Sequence, residues 1–144
     1  MATIGQDAEI LLDSAPYFVQ PGTYICKWPR IRKATVRADG GEGYVDLGPG
    51  KRAWSMVILC INDLNTYDGT STGLTGQNYR DSLVASYSKV AQTIPFQDPL
   101  GSSFQVHFDG YAEHTPDLHA QQVVLATGGA LSNSYLVAIE LVEA

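Results

Sequence analysis

Ala53-Trp54-Ser55-Met56-Val57-Ile58-Leu59-Cys60-Ile61 is the stretch that decides the fold. Trp54, Met56, Ile58 and Cys60 fall on one phase of a two-residue period, and Val57, Leu59 and Ile61 on the other. A strand apolar on both phases belongs in the middle of a sheet with both faces covered. Two further alternating segments follow it. Ser103–Asp109 sets Phe104, Val106 and Phe108 inward against Gln105, His107 and Asp109 outward. Ser134–Val142 sets Tyr135, Val137, Ile139 and Leu141 on one face and Leu136, Ala138, Glu140 and Val142 on the other. Gln121–Thr127 reads as one more strand, closed by Gly128-Gly129.

Before the central run, turn signals cut the chain into short pieces. Glu9–Leu12 is a strand candidate ended by Asp13-Ser14-Ala15-Pro16, and Tyr17–Gln20 runs to Pro21-Gly22. Thr23–Trp28 follows. Arg30–Ala38 is closed by Asp39-Gly40-Gly41, and Tyr44–Leu47 ends at Gly48-Pro49-Gly50, which reads as a tight hairpin turn. After the central run, Asn62–Gly76 is a long polar loop. Gln77–Gln92 is the one good helix, with an apolar stripe of Leu83, Val84, Tyr87, Val90 and Ala91. Asn78 is its expected N-cap with Asp81 three residues on, and Pro95 its stop. Seven or eight strands and one helix predict a mainly β fold, a β-sandwich or partly closed barrel with the helix packed on one side. The 144 residues fit a single domain, 1–144, with an extended N-terminal segment over residues 1–22.

Only 17% of residues are charged, against about 25% in an average soluble protein. The surface is therefore largely Ser, Thr, Asn, Gln, Tyr and Gly, which suits a subunit touching neighbours over a wide area. The net charge of −6 is unevenly spread. Lys27, Arg30, Arg32, Lys33, Arg37, Lys51 and Arg52 are seven of the nine cations. From Val90 onward there is no Lys or Arg, while Asp98, Asp109, Glu113, Asp117, Glu140 and Glu143 lie there. Such asymmetry marks either a nucleic-acid face or two complementary faces of a head-to-tail assembly. The negative total weighs against the first.

Residues 1–10 show no secretory signal, and no apolar run approaches the ~20 residues of a membrane span, so no membrane partner is expected. Without an export signal, Cys26 and Cys60 read as buried free thiols. His114 and His119 with Glu113 would be the only metal set, but Pro116 prevents a helix from aligning them. Asp63–Gly69 departs from a calcium loop, with Leu74 where the bidentate Glu belongs. No nucleophile elbow or phosphate loop is present, and Gly48-Pro49-Gly50-Lys51-Arg52 lacks both the first Gly and the Ser/Thr that a phosphate loop requires. The expectation is a protein that is not an enzyme and takes no cofactor, resting on absences.

One arrangement is more specific. It runs from Arg52-Ala53-Trp54-Ser55-Met56-Val57-Ile58 through the helix Tyr79-Arg80-Asp81-Ser82-Leu83-Val84-Ala85-Ser86-Tyr87 to Ile94-Pro95-Phe96-Gln97-Asp98-Pro99-Leu100-Gly101. Then come Phe104-Gln105-Val106-His107-Phe108-Asp109-Gly110-Tyr111 and the final Tyr135–Glu143. Over residues 43–144 this resembles the tail-tube-like domain shared by tube, distal-tail and baseplate-hub proteins of bacteriophage tails. The resemblance implies a virion protein assembled in the host cytoplasm. It implies copies joined in a ring, hexameric in that family, with other tail or head proteins as neighbours and DNA only as passing cargo. A ring interface is heterologous and needs two different faces. Lys27, Arg30, Arg32, Lys33, Arg37, Lys51 and Arg52 would form one, and Asp98, Asp109, Glu113 and Asp117 the other. Three rival readings remain: a capsid decoration or head-completion protein, a ligand- or carbohydrate-binding β-sandwich with Trp28, Tyr67 and Tyr111 as a stacking platform, and an enzyme using His114 or His119.

Overall fold

A computed structural model describes residues 3–62, 64–115 and 134–144. Its strands are β1 (Ile10–Leu12), β2 (Ala15–Val19), β3 (Ile25–Lys27), β4 (Arg30–Val36), β5 (Glu42–Pro49), β6 (Ala53–Cys60), β7 (Ile94–Gln97), β8 (Ser103–His114) and β9 (Tyr135–Glu143). The helix α1 (Gly76–Tyr87) lies between β6 and β7. The protein is mainly β, as the alternation predicts. Asp117, His119 and the expected strand over Gln121–Thr127 lie outside the described residues.

Seven strands form one antiparallel sheet in the order β2-β1-β7-β8-β9-β6-β3. The sheet curls until β2 also reaches β6, through Phe18↔Leu59 and Val19↔Ile58. That short contact leaves it a curled, sandwich-like sheet rather than a closed barrel. Inside lie Trp54, Met56, Ile58 and Cys60 of β6, Val137, Ile139 and Leu141 of β9, and Ile10, Leu12, Tyr17, Ile94, Phe96 and Val106. Trp54 anchors this core, tilted against Phe96 and Phe104 with ring centroids 5.1 and 5.0 Å away. β6 is central, as its sequence predicts, but only its Trp54 face is fully buried. Ser55, Val57 and Leu59 on the other face are half-buried, because α1 packs on the Trp54 side.

The helix departs from expectation at both ends and, Leu83 apart, in the residues it buries. Thr75, not Asn78, is the cap: its hydroxyl accepts from the Asn78 amide at 3.2 Å. Ser88 ends the helix, its hydroxyl donating to the Val84 carbonyl at 2.7 Å, so the chain leaves the helix well before Pro95. The buried stripe is Gly76, Tyr79, Leu83 and Ser86, whereas Val90 is 81% exposed. Ser86 donates to Asp13 at 3.0 Å and Lys89 also donates to Asp13, which ties the helix end to the β1–β2 turn.

Two turns and one strand differ from the sequence reading. Asp13 and Ser14 alone make the β1–β2 turn, both at positive φ (53° and 65°), and Ala15-Pro16 already belong to β2. Ile94–Gln97 is a strand, joined to β8 by the Asp98-Pro99-Leu100-Gly101 turn. Gly48-Pro49 is not a hairpin turn but the end of β5, paired with Ile31 and Arg30. Cys26 is exposed and only Cys60 is buried; both thiols are free.

Candidate functional site: a cationic ribbon and its joint

β3 and β6 form a ladder ending at Lys27↔Ala53, and β4 and β5 resume it at Arg30↔Pro49. The two pairs are therefore one long hairpin, interrupted at Trp28-Pro29 on one strand and Gly50-Lys51-Arg52 on the other. The first part lies in the main sheet. The second, β4–β5, is a separate two-stranded sheet.

The interruption is chemically specified. Pro29 has no N–H to continue a ladder, but its carbonyl accepts from the Gly50 amide at 2.6 Å. The Trp28 indole donates to the Gly50 carbonyl at 2.7 Å. Gly50 sits tightly: a Cβ there would come within 3.1 Å of the Ile31 side chain and 3.3 Å of the Pro29 carbonyl. The Arg52 guanidinium lies 3.9 Å over the Trp28 ring and 4.8 Å over the Phe104 ring of β8. Two aromatic faces thus clasp one cation where the ribbon leaves the body. Arg52 is itself fixed to β9, its amide donating to the Glu143 carboxylate at 3.2 Å and its carbonyl accepting from the Glu143 amide at 2.8 Å.

Beyond this joint every residue of β4 is exposed. Ile31 is 47% exposed, Tyr44 70% and Leu47 63%, so the ribbon carries large apolar side chains without burying them in its own body. Cross-strand pairs define its faces. Arg32↔Asp46 and Ala34↔Tyr44 share one, and Lys33↔Val45 and Thr35↔Gly43 the other. Arg30 grips Asp46 through two nitrogens at 2.9 and 2.7 Å on the first face, holding that carboxyl below its usual range. Arg37 lies against Gly43 on the second.

The structure therefore gathers Arg30, Arg32, Lys33 and Arg37 on the ribbon and places Lys27, Lys51 and Arg52 at its root. The proposed acidic partners are more scattered. Asp109 is exposed at a bulge in β8. Glu113 accepts from Arg80 at 2.6 Å and from the Tyr111 hydroxyl, and the Tyr111 bond leads in holding its carboxyl below the ordinary value. Asp98 is buried and holds the β7–β8 turn, accepting from the Leu100 and Ser102 amides at 3.1 and 2.8 Å; it offers no carboxylate to a neighbour. Asp117 lies outside the described residues.

Trp28, Tyr67 and Tyr111 do not form one platform in this arrangement. Trp28 has Arg52 over one ring face, Tyr67 packs edge-on against Phe18, and Tyr111 stacks on Tyr87. His107 and His114 are both exposed on β8. Burial pushes the Cys60 thiol up to about 12, so it is no thiolate at neutral pH. No helix among the described residues is long and apolar enough to cross a membrane.

Sequence reasoning found the cations and missed the rest of the site. The exposed apolar residues of the ribbon look in sequence like any half-buried strand. The joint had a signal, a Pro on one strand and Gly-Pro-Gly opposite. No protein-family model and no curated protein matches this chain.

Proposed function

We propose that this protein is a structural subunit that assembles with copies of itself, as a ring or tube of a bacteriophage or phage-like tail through which DNA passes. The observation that carries the reading is the β4–β5 ribbon. A two-stranded ribbon is at best marginally stable alone, and this one holds Ile31, Tyr44, Val45 and Leu47 in water. Exposed apolar clusters rimmed by charge mark association sites.

Charge supports the same reading. Residues 27–52 hold seven cations and three carboxylates, while the rest of the chain holds two cations and twelve carboxylates. A subunit with a positive projection and a negative body associates head to tail, and such heterologous contacts close into rings or run on as filaments. A wall dominated by carboxylates would also repel DNA phosphates and let DNA pass. The tail assignment itself rests on the resemblance of the strand and helix order. Negative-stain microscopy of the purified protein tests it. Rings or stacked tubes with a central channel are expected. Trimers that bind empty shells would favour a decoration protein, and a dispersed monomer at high concentration would overturn self-assembly.

A further inference from the structure

The body carries a surface fitted to one face of the ribbon. Along β9, Leu136, Ala138, Glu140 and Val142 point away from the core, alternating with buried Val137, Ile139 and Leu141. Their neighbours across the sheet are small in the middle rows: Val57 and Ala112 flank Ala138, and Ser55 and Gly110 flank Glu140. Gly110 is required for this, since a Cβ there would come within 2.9 Å of the Glu140 side chain. The result is a shallow trough with two hollows. One, of about 270 Å³, lies among Val57, Ala112, Leu136 and Ala138. The other, of about 200 Å³, lies beside Glu140 and Val142 and is bordered by Lys27. Among the described residues Glu140 and Asp109 have no ion-pair partner, and His114 stands at the end of the trough, opposite Leu136.

The two faces of the ribbon differ in the way this surface demands. The Arg32/Tyr44 face carries Asp46, whose carboxylate is taken by Arg30. The other carries Lys33, Thr35, Arg37 and Val45, its one nearby carboxylate being that of Asp39 at the tip beside Arg37. Its length also suits: β4 and the stretch from Leu136 to Val142 are seven residues each, about 23 Å.

We propose that the Lys33/Arg37/Val45 face of one copy lies in the β9 trough of the next, with Val45 over Ala138 and Leu136 and Lys33 and Arg37 set toward Glu140 and Asp109. This rests on the self-assembly reading and names its two contacting surfaces. Each copy gives one ribbon and receives one.

Glu140→Lys and Lys33→Glu test it, because both positions are exposed and neither side chain is in the core. Circular dichroism and thermal melting establish that each variant folds. Sedimentation velocity should show each single reversal weakening association by about tenfold or more, and the double variant K33E/E140K, which pairs opposite charges again, restoring it to within about threefold. With exposed Cys26 replaced by serine, Val45→Cys and Ala138→Cys together should give intermolecular disulfide ladders on mild oxidation, and neither alone should. Loss of assembly on removing the ribbon, with E140K unaffected and no ladder formed, would overturn the trough and leave the self-assembly reading standing. Assembly that survives removal of the ribbon would overturn both. A wild-type monomer that binds a short DNA duplex, weakened by K33E, would overturn both in favour of a nucleic-acid face.

Discussion

Excising the ribbon is the perturbation that separates the body from its projection. Residues 30–49 are replaced by Asn-Gly. Because the Gly50 amide already bonds to the Pro29 carbonyl at 2.6 Å, a two-residue turn closes the remaining hairpin without moving its ends. No core residue lies in the excised segment. The one ion pair lost, Arg30–Asp46, is fully exposed and contributes little. Shortening the loop from twenty residues to two lowers the closure entropy by about 2 kcal/mol. The expected body is therefore as stable as the wild type or up to about 2 kcal/mol more stable. Four cations and three carboxylates leave together, so the net charge moves only from −6 to −7 and bulk charge cannot explain a change in association. Urea unfolding followed by fluorescence reads this directly, since Trp54 is 2% exposed at the centre of the core. A loss of about 3 kcal/mol or more, or a shortened protein that does not fold, would refute the division into an autonomous body and an unsupported ribbon.

Three further outcomes follow from the packing. Leu83→Ala empties a fully buried site between helix and sheet and should cost about 2–5 kcal/mol in chemical denaturation; a cost under about 1 kcal/mol would show that α1 does not plug the core. Ser14→Gly relieves a left-handed non-glycine residue in a two-residue turn and should raise stability by up to about 1 kcal/mol, read as an upward shift in Tm; a lower Tm would contradict the turn. Glu113 has a carboxyl held below its usual value of 4.5 by Tyr111 and Arg80. Its contribution is present above pH ~4.5 and is lost as pH falls through its folded value. Stability measured from pH 6 to pH 3 should therefore fall less steeply in Glu113→Gln than in the wild type; identical slopes would remove the cluster from the account.

What the sequence discloses here follows from what periodicity can carry. The alternation of Phe104, Val106 and Phe108, and of Val137, Ile139 and Leu141, locates β8 and β9 because one face of each is dry. It does not reveal which strand pairs with which. Arg30–Val36 is therefore legible as a strand, but its departure from the main sheet is not. β7 is hidden by Pro95, which is tolerated because it lies one step beyond the β1 ladder, whose last pair is Leu12↔Phe96. Within the helix the expected stripe includes Leu83, which is buried, but misses Tyr79 and Ser86, while Val90 and Ala91 lie beyond the helix end. Of the proposed interface, the segregation of charge is wholly visible in sequence. The buried role of Asp98 and the outward set Leu136, Ala138 and Glu140 needed the register of three strands to be seen together.

The central claim, that the ribbon joins one copy to the next through opposite charge, is tested most directly by sedimentation velocity on the wild-type and ribbon-excised proteins at equal concentration. The account predicts an assembly for the wild type in physiological salt, its partial dissociation in about 1 M salt, where charge is screened within about 3 Å, and a monomer for the excised protein throughout. Two monomers, or two assemblies of the same size, would contradict it.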